Sequence, residues 1–141
     1  MAKMAAAGYS GSPLSKKLGI KKGFNIFLIN APDNYAELLS DMESEVRFVL
    51  SPQKPCDMIH YFEKSLSGLK KTLPELKNKI TASGCVWVSW PKKASKVQTD
   101  VSENLIREIG LSVGLVDIKV CSVDEVWSGL KFVIPVKDRN S

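Results

Sequence analysis

The 141-residue chain is 44% hydrophobic and 25% charged, the size and composition of a single globular domain with enough apolar material for a core, not those of a largely disordered chain. Its formal charge is +5, and the five lysines ahead of Asp33 (Lys3, Lys16, Lys17, Lys21 and Lys22) account for all of it. Three widely spaced cysteines, a single histidine and no CxxC exclude a disulfide scaffold and a zinc site and fit a reducing cytoplasm, while no apolar run approaches the roughly 20 residues that cross a bilayer.

Residues 1–22 read as a basic N-terminal arm, residues 23–136 as a single α/β domain and residues 137–141 as a polar tail. The arm carries one short helix: Ser12 caps it, Pro13 suits its first turn, and Gly19 takes the left-handed conformation that ends it. Residues 24–29 form an almost unbroken apolar run, the pattern of a strand buried on both faces. Pro32-Asp33 stops that strand. From Asp33, a good cap, Tyr35, Leu38, Leu39 and Met42 recur at helical spacing. Residues 46–50 make a second strand, closed by Ser51-Pro52, and residues 58–62 a third.

Leu66, Leu69, Leu73, Leu76 and Ile80 trace a further helical stripe. Pro74 interrupts it, and Thr72 with Glu75 forms a capping-box pattern, which predicts a break near Thr72. Residues 85–90 are the fourth strand, stopped by Pro91. Asp100 and Glu103 form a second capping pair, opening a helix with Val101, Leu105, Ile106 and Ile109 inward and Gly110 near its end. Residues 116–121 alternate apolar and polar, as a half-buried strand does. Residues 130–134 follow after a loop too short for a helical crossover, so the last two strands pair as an antiparallel hairpin, with Pro135 suiting an outer edge.

Helices between most strands imply right-handed crossovers. The expected fold is a truncated Rossmann-like three-layer α/β sandwich, a mostly parallel sheet of about six strands with a C-terminal antiparallel hairpin. Such sheets bind ligands beyond the carboxyl ends of their strands. Chain direction places Asn30 after strand one, Trp90, Lys92 and Lys93 at the end of strand four, and Trp127 and Ser128 in the loop after strand five, all at that rim. Two indoles for stacking, with Lys92, Lys93 and Lys96 for charge, suit a small polar or anionic ligand.

Several segments resemble one bacterial family of small stand-alone proteins known only as a domain of unknown function. They are Gly8-Tyr9-Ser10-Gly11, the Pro13-Leu14-Ser15-Lys16-Lys17-Leu18-Gly19 run, Trp90-Pro91-Lys92-Lys93, Thr99-Asp100 and residues 116–131, which end Trp127-Ser128-Gly129-Leu130-Lys131. The resemblance implies a bacterial cytoplasmic domain and supplies no catalytic residue. The order of elements is also similar to the second half of the class I methyltransferase fold. The chain departs from that fold where a cofactor would sit: the loop after strand one is Asn30-Ala31-Pro32 instead of glycine-rich, strand two ends Leu50-Ser51-Pro52 without a ribose-binding acid, and the link from strand two to strand three is too short for a helix.

Catalytic signatures are absent from the sequence: there is no GxSxG, Walker A or HExxH motif. His60, flanked by apolar residues, reads as a packed or hydrogen-bonded residue; Cys56 near it lacks a nucleophile's surroundings, and Cys85 and Cys121 read as small buried apolar groups. The leading reading is a non-catalytic ligand-binding or regulatory domain that uses no cofactor, no metal and no membrane. The alternatives are a small enzyme acting on a polar or anionic metabolite, with Lys92 or Lys93 stabilising charge, or a degenerate methyltransferase-like domain. Nucleic-acid or partner binding through the basic arm is a third reading, weakened by the lack of any aromatic-basic repeat or RNP-like strand. Periodicity sets no oligomeric state.

Overall fold

The computed structural model describes residues 13–39 and 45–139; Ser12 and Met42, expected in a cap and a helical stripe, lie outside them. Six strands form one sheet: β1 (Asn25–Ile29), β2 (Arg47–Val49), β3 (Cys56–Phe62), β4 (Ile80–Pro91), β5 (Val116–Ser122) and β6 (Trp127–Val133). Their spatial order is β2-β1-β3-β4-β6-β5. β1 pairs in parallel with β2 and β3, β3 in parallel with β4, and β6 runs antiparallel to both β4 and β5. The expected α/β sheet with its antiparallel pair is therefore present.

Both faces of the sheet are covered, which gives three layers. On one face, α3 (Leu66–Thr72), the 3-10 turn that follows it and α4 (Glu103–Ser112) set Leu69, Leu73 and Ile106 against Ile59, Val86, Val88, Trp90, Leu130 and Phe132. On the other, α1 (Leu14–Leu18) and α2 (Tyr35–Leu38) bring Leu14, Leu18 and Tyr35 to Ile26, Met58, Phe62 and Trp87. Successive residues of β4 thus alternate between the two cores, which is why Val86-Trp87-Val88 is apolar without a break. α1 ends at Gly19 with φ 76°, as its glycine predicts. The Trp87 indole then ties it to the sheet, donating to the Leu18 carbonyl at 3.0 Å.

Four expectations are corrected in detail. The hairpin forms one edge of the sheet, but its first strand is the outer one: β6 is inserted between β4 and β5, so Pro135 lies beyond an interior strand and not an edge strand. β6 begins at Trp127, which puts Trp127 and Ser128 in the sheet instead of a loop. β4 begins at Ile80, the residue that closes the helical stripe in sequence. Finally, α4 is capped by Ser102, whose side chain accepts from Leu105 N. Asp100 instead turns to the neighbouring helix and accepts from Leu66 N at 2.7 Å. The break near Thr72 stands: α3 stops there and two 3-10 turns, Leu73–Glu75 and Lys77–Lys79, lead into β4.

Candidate functional site: the carboxyl rim of the sheet

Parallel β1, β3 and β4 all end on one rim, and antiparallel β6 starts there, since Trp127 lies opposite Pro91 and Ser128 opposite Trp90. The rim loops are bound to one another. Thr99 donates its hydroxyl to the Lys64 carbonyl at 2.6 Å, joining the loop after β4 to the loop after β3. Asp124 accepts from the amides of Val126 and Trp127, each at 2.8 Å, a side-chain turn that opens β6.

Beyond the end of β4 lies an open groove of about 570 Å³ whose lining includes Trp90, Lys92, Lys93 and Ser128. Four of the six predicted site residues therefore come together. Lys96 joins them at φ 62°, the left-handed residue that turns the loop back after the 3-10 turn Lys93–Ser95. The Lys92 ammonium is already engaged, donating to Ser122 Oγ at 2.6 Å. Lys93 and Lys96 are exposed, and among the described residues neither has a carboxylate within 4 Å. At the far wall, the first turn of α4 contributes Ser102 and Glu103, the Glu103 carboxylate being paired with Arg107. The groove thus offers one indole edge, hydroxyls and a net positive charge, a setting for an oxyanion-bearing polar ligand. Gln98, Thr99, Ser102 and Glu103 also line it and were not anticipated; their only sequence signal is position, in the stretch between the fourth strand and its helix.

Asn30 and Trp127 do not join the groove. Trp127 packs with the core on the opposite face of the sheet from Trp90, edge-on against Phe62 with ring centres 5.0 Å apart, and the two indoles cannot sandwich one ligand. Asn30 is exposed with φ 57°, the left-handed conformation that asparagine tolerates better than other side chains. Its amide donates to the Phe62 carbonyl at 3.2 Å.

That bond spans the place where the strand order reverses. The chain steps outward from β1 to β2, then back across β1 to β3, and the crevice between the tips of β1 and β3 is the usual ligand site of such sheets. Here the Asn30 side chain bridges the two tips.

His60 is completely buried between two hydroxyls: Tyr35 at 2.8 Å from Nδ1 and Ser89 at 2.7 Å from Nε2. Its ring stacks on Phe62, centres 4.3 Å apart. Burial pushes its pKa down to about 3 and pushes the Tyr35 phenol up, so the chain Tyr35–His60–Ser89 is neutral. Ser89 is itself sealed, out of a substrate's reach. The expectation of a hydrogen-bonded histidine holds. Cys56 has no part in this group; its thiol faces the Lys54 carbonyl at 3.9 Å. Cys56 and Cys85 are buried and Cys121 partly so, all as free thiols, with burial raising each above the usual thiol range.

No protein-family model matches this sequence, and no curated protein matches it. Solved structures do. A TehB-like SAM-dependent methyltransferase from Corynebacterium glutamicum is 13% identical with a TM-score of 0.55, the match covering 92% of this chain and 91% of that one. An S-adenosylmethionine-dependent methyltransferase from Clostridium acetobutylicum is 10% identical with a TM-score of 0.58, covering 85% and 87%. A methyltransferase from Pyrococcus furiosus is 17% identical with a TM-score of 0.53, covering 84% and 78%. The likeness is one of fold: the chain shares the Rossmann-like α/β architecture of these structures.

The residues present do not fit the adenosyl cofactor that this fold implies. A glycine-rich turn lets backbone approach such a ligand and an acid binds its ribose hydroxyls. In this chain Asn30 bridges the strand tips, Pro32 has no N–H to offer, and β2 runs out through Leu50, 94% exposed, into Ser51-Pro52 with no carboxylate. No helix among the described residues is long and apolar enough to cross a membrane.

Proposed function

We propose that this protein is a degenerate methyltransferase-fold domain that binds a small polar anion in the β4–α4 groove and transfers no methyl group. One observation carries the reading: the Asn30 amide is hydrogen-bonded across the switch-point crevice to Phe62, while the groove beside it gathers Trp90, Lys93 and Lys96. The cysteines, charge pattern and sequence resemblance support a bacterial cytoplasmic setting within the small family of unknown function. Titration with a panel of nucleotides, sugar phosphates and dicarboxylates, followed by tryptophan emission in a Trp127→Phe background, tests the groove. The expected result is a saturable change that disappears in the Lys93→Ala, Lys96→Ala double variant. Emission unchanged across the panel rejects it.

The second reading, a functioning methyltransferase, is favoured by the structural neighbours alone. Calorimetric titration with S-adenosylmethionine separates the two: no saturable heat is expected, and a saturable one restores the enzyme reading.

A further inference from the structure

The opposite, amino-terminal end of the sheet holds a second hollow, of about 440 Å³, between the starts of β1, β2 and β3 and the turn that joins β2 to β3. Its size is within the range of small-molecule sites. Val49, Pro52 and Pro55 supply apolar walls, and Arg47, Gln53 and Lys54 supply the polar groups. Asp57, the acid nearest in sequence to Lys54, accepts from the Asn25 amide at 2.8 Å and does not line the hollow. Among the described residues the Arg47 guanidinium has no carboxylate within 4 Å and Lys54 has none either. On the other side of the same turn a shallower hollow adds Lys79. Glu45 lines an adjoining hollow with Arg47 and Asn25, so the cations of the site itself are Arg47 and Lys54, with no acid in its own lining.

A guanidinium with no carboxylate among the described residues within 4 Å, at the mouth of a hollow with no acid in its lining, matches one ligand chemistry: a carboxylate or phosphate head on a compact apolar body. Free inorganic phosphate would leave the proline and valine walls unfilled. A neutral apolar molecule would leave the cations without a partner. We infer that this hollow is a binding site for a small organic anion, its head on Arg47 and Lys54 and its body against Val49, Pro52 and Pro55. The site is separate from the β4–α4 groove and independent of the function proposed for it.

The test is a calorimetric and amide-shift NMR titration of the full chain with benzoate, hexanoate and phenyl phosphate, with benzamide and inorganic phosphate as controls. At least one of the three organic anions is expected to bind saturably, moving the Gln53 and Lys54 amides, at least tenfold more tightly than either control. Arg47→Gln is expected to weaken that binding tenfold or more, whereas the Lys93→Ala, Lys96→Ala variant leaves it unchanged. Arg47 is exposed, so the variant keeps the fold, and an unchanged amide spectrum elsewhere verifies this. Benzoate favoured over phenyl phosphate assigns a carboxylate head and the reverse a phosphate head. The inference is overturned by no saturable binding of any organic anion, by benzamide binding equally well, or by Arg47→Gln without effect.

Discussion

At the scale of single residues, burial has its sharpest consequence at His60. A solvated imidazole takes up its proton near pH 6.5, whereas the buried one resists down to about 3. Between those values the unfolded chain binds more protons than the folded one. The stabilisation is therefore complete above about pH 6.5 and is lost on acidification, by up to about 1.4 kcal/mol per pH unit. Calorimetric melting of the native chain is expected to fall steeply from pH 6.5 to pH 4, and His60→Gln to flatten that slope while leaving the carboxylate contribution.

Asn30 and Gly110 give contrasting cases. Asn30→Ala loses a hydrogen bond and puts an alanine in the left-handed region, a cost of about 2 kcal/mol in denaturant melts, while Asn30→Gly keeps the conformation and loses only about 1. A side chain at Gly110 would run into the Phe132 ring. Both lie in the packed layer between α4 and the sheet, so Gly110→Ala is expected to cost about 1–3 kcal/mol through overpacking.

At the scale of elements, α1 is five residues long, too short to persist alone. Its place depends on Leu14, Leu18 and the Trp87 indole. Trp87→Phe keeps most of the apolar contact but leaves the buried Leu18 carbonyl without its donor. Amide exchange through residues 14–20 is expected to quicken by about tenfold, equivalent to roughly 1.4 kcal/mol, with the exchange of β3 almost unchanged.

Elements were readable from sequence where local chemistry decides them. Gly19 ends α1 and Pro74 ends the regular helix for reasons contained in a few residues. Where tertiary contact decides, sequence was silent. Trp127-Ser128-Gly129 looks like a turn, yet it is strand: a Cβ at Gly129 would stand 3.0 Å from Trp87 Cε3, so the glycine is there for the indole and not for flexibility. Ile80 continues a helical stripe but folds as strand because two 3-10 turns, the first containing Pro74, have already abandoned the helix. Asp100 has the spacing of a cap for α4 and is drawn to α3 instead, a preference that only the closeness of the two loops reveals. The candidate groove was readable through chain direction, which brings Trp90, Lys92, Lys93 and Ser128 to one rim. Asn30 and Trp127 reach the same rim but stand outside the groove: Asn30 follows β1 and turns to Phe62, and Trp127 faces the other side of the sheet, which depends on a register that no single strand encodes.

At the scale of the whole molecule, the two candidate binding regions sit at opposite ends of the same strands, one beyond β4 and one before β1, β2 and β3. They share no lining residue. Substitutions at Lys93 and at Arg47 are accordingly expected to be additive in thermal stability to within about 0.5 kcal/mol, measured by denaturant melts of the single and combined variants.

Insertion of β6 between β4 and β5 also governs the order in which the chain can be assembled. When β5 leaves the ribosome, its only neighbour in the finished sheet has not yet been made, and the flank of β4 carrying Val86, Trp87 and Val88 stands open. The two final strands must join each other and slot in together, a long-range closure that is slow compared with forming the parallel half. Throughout that interval a nascent chain exposes an unpaired apolar edge, the species most prone to sticking to its own kind or to be held by a chaperone.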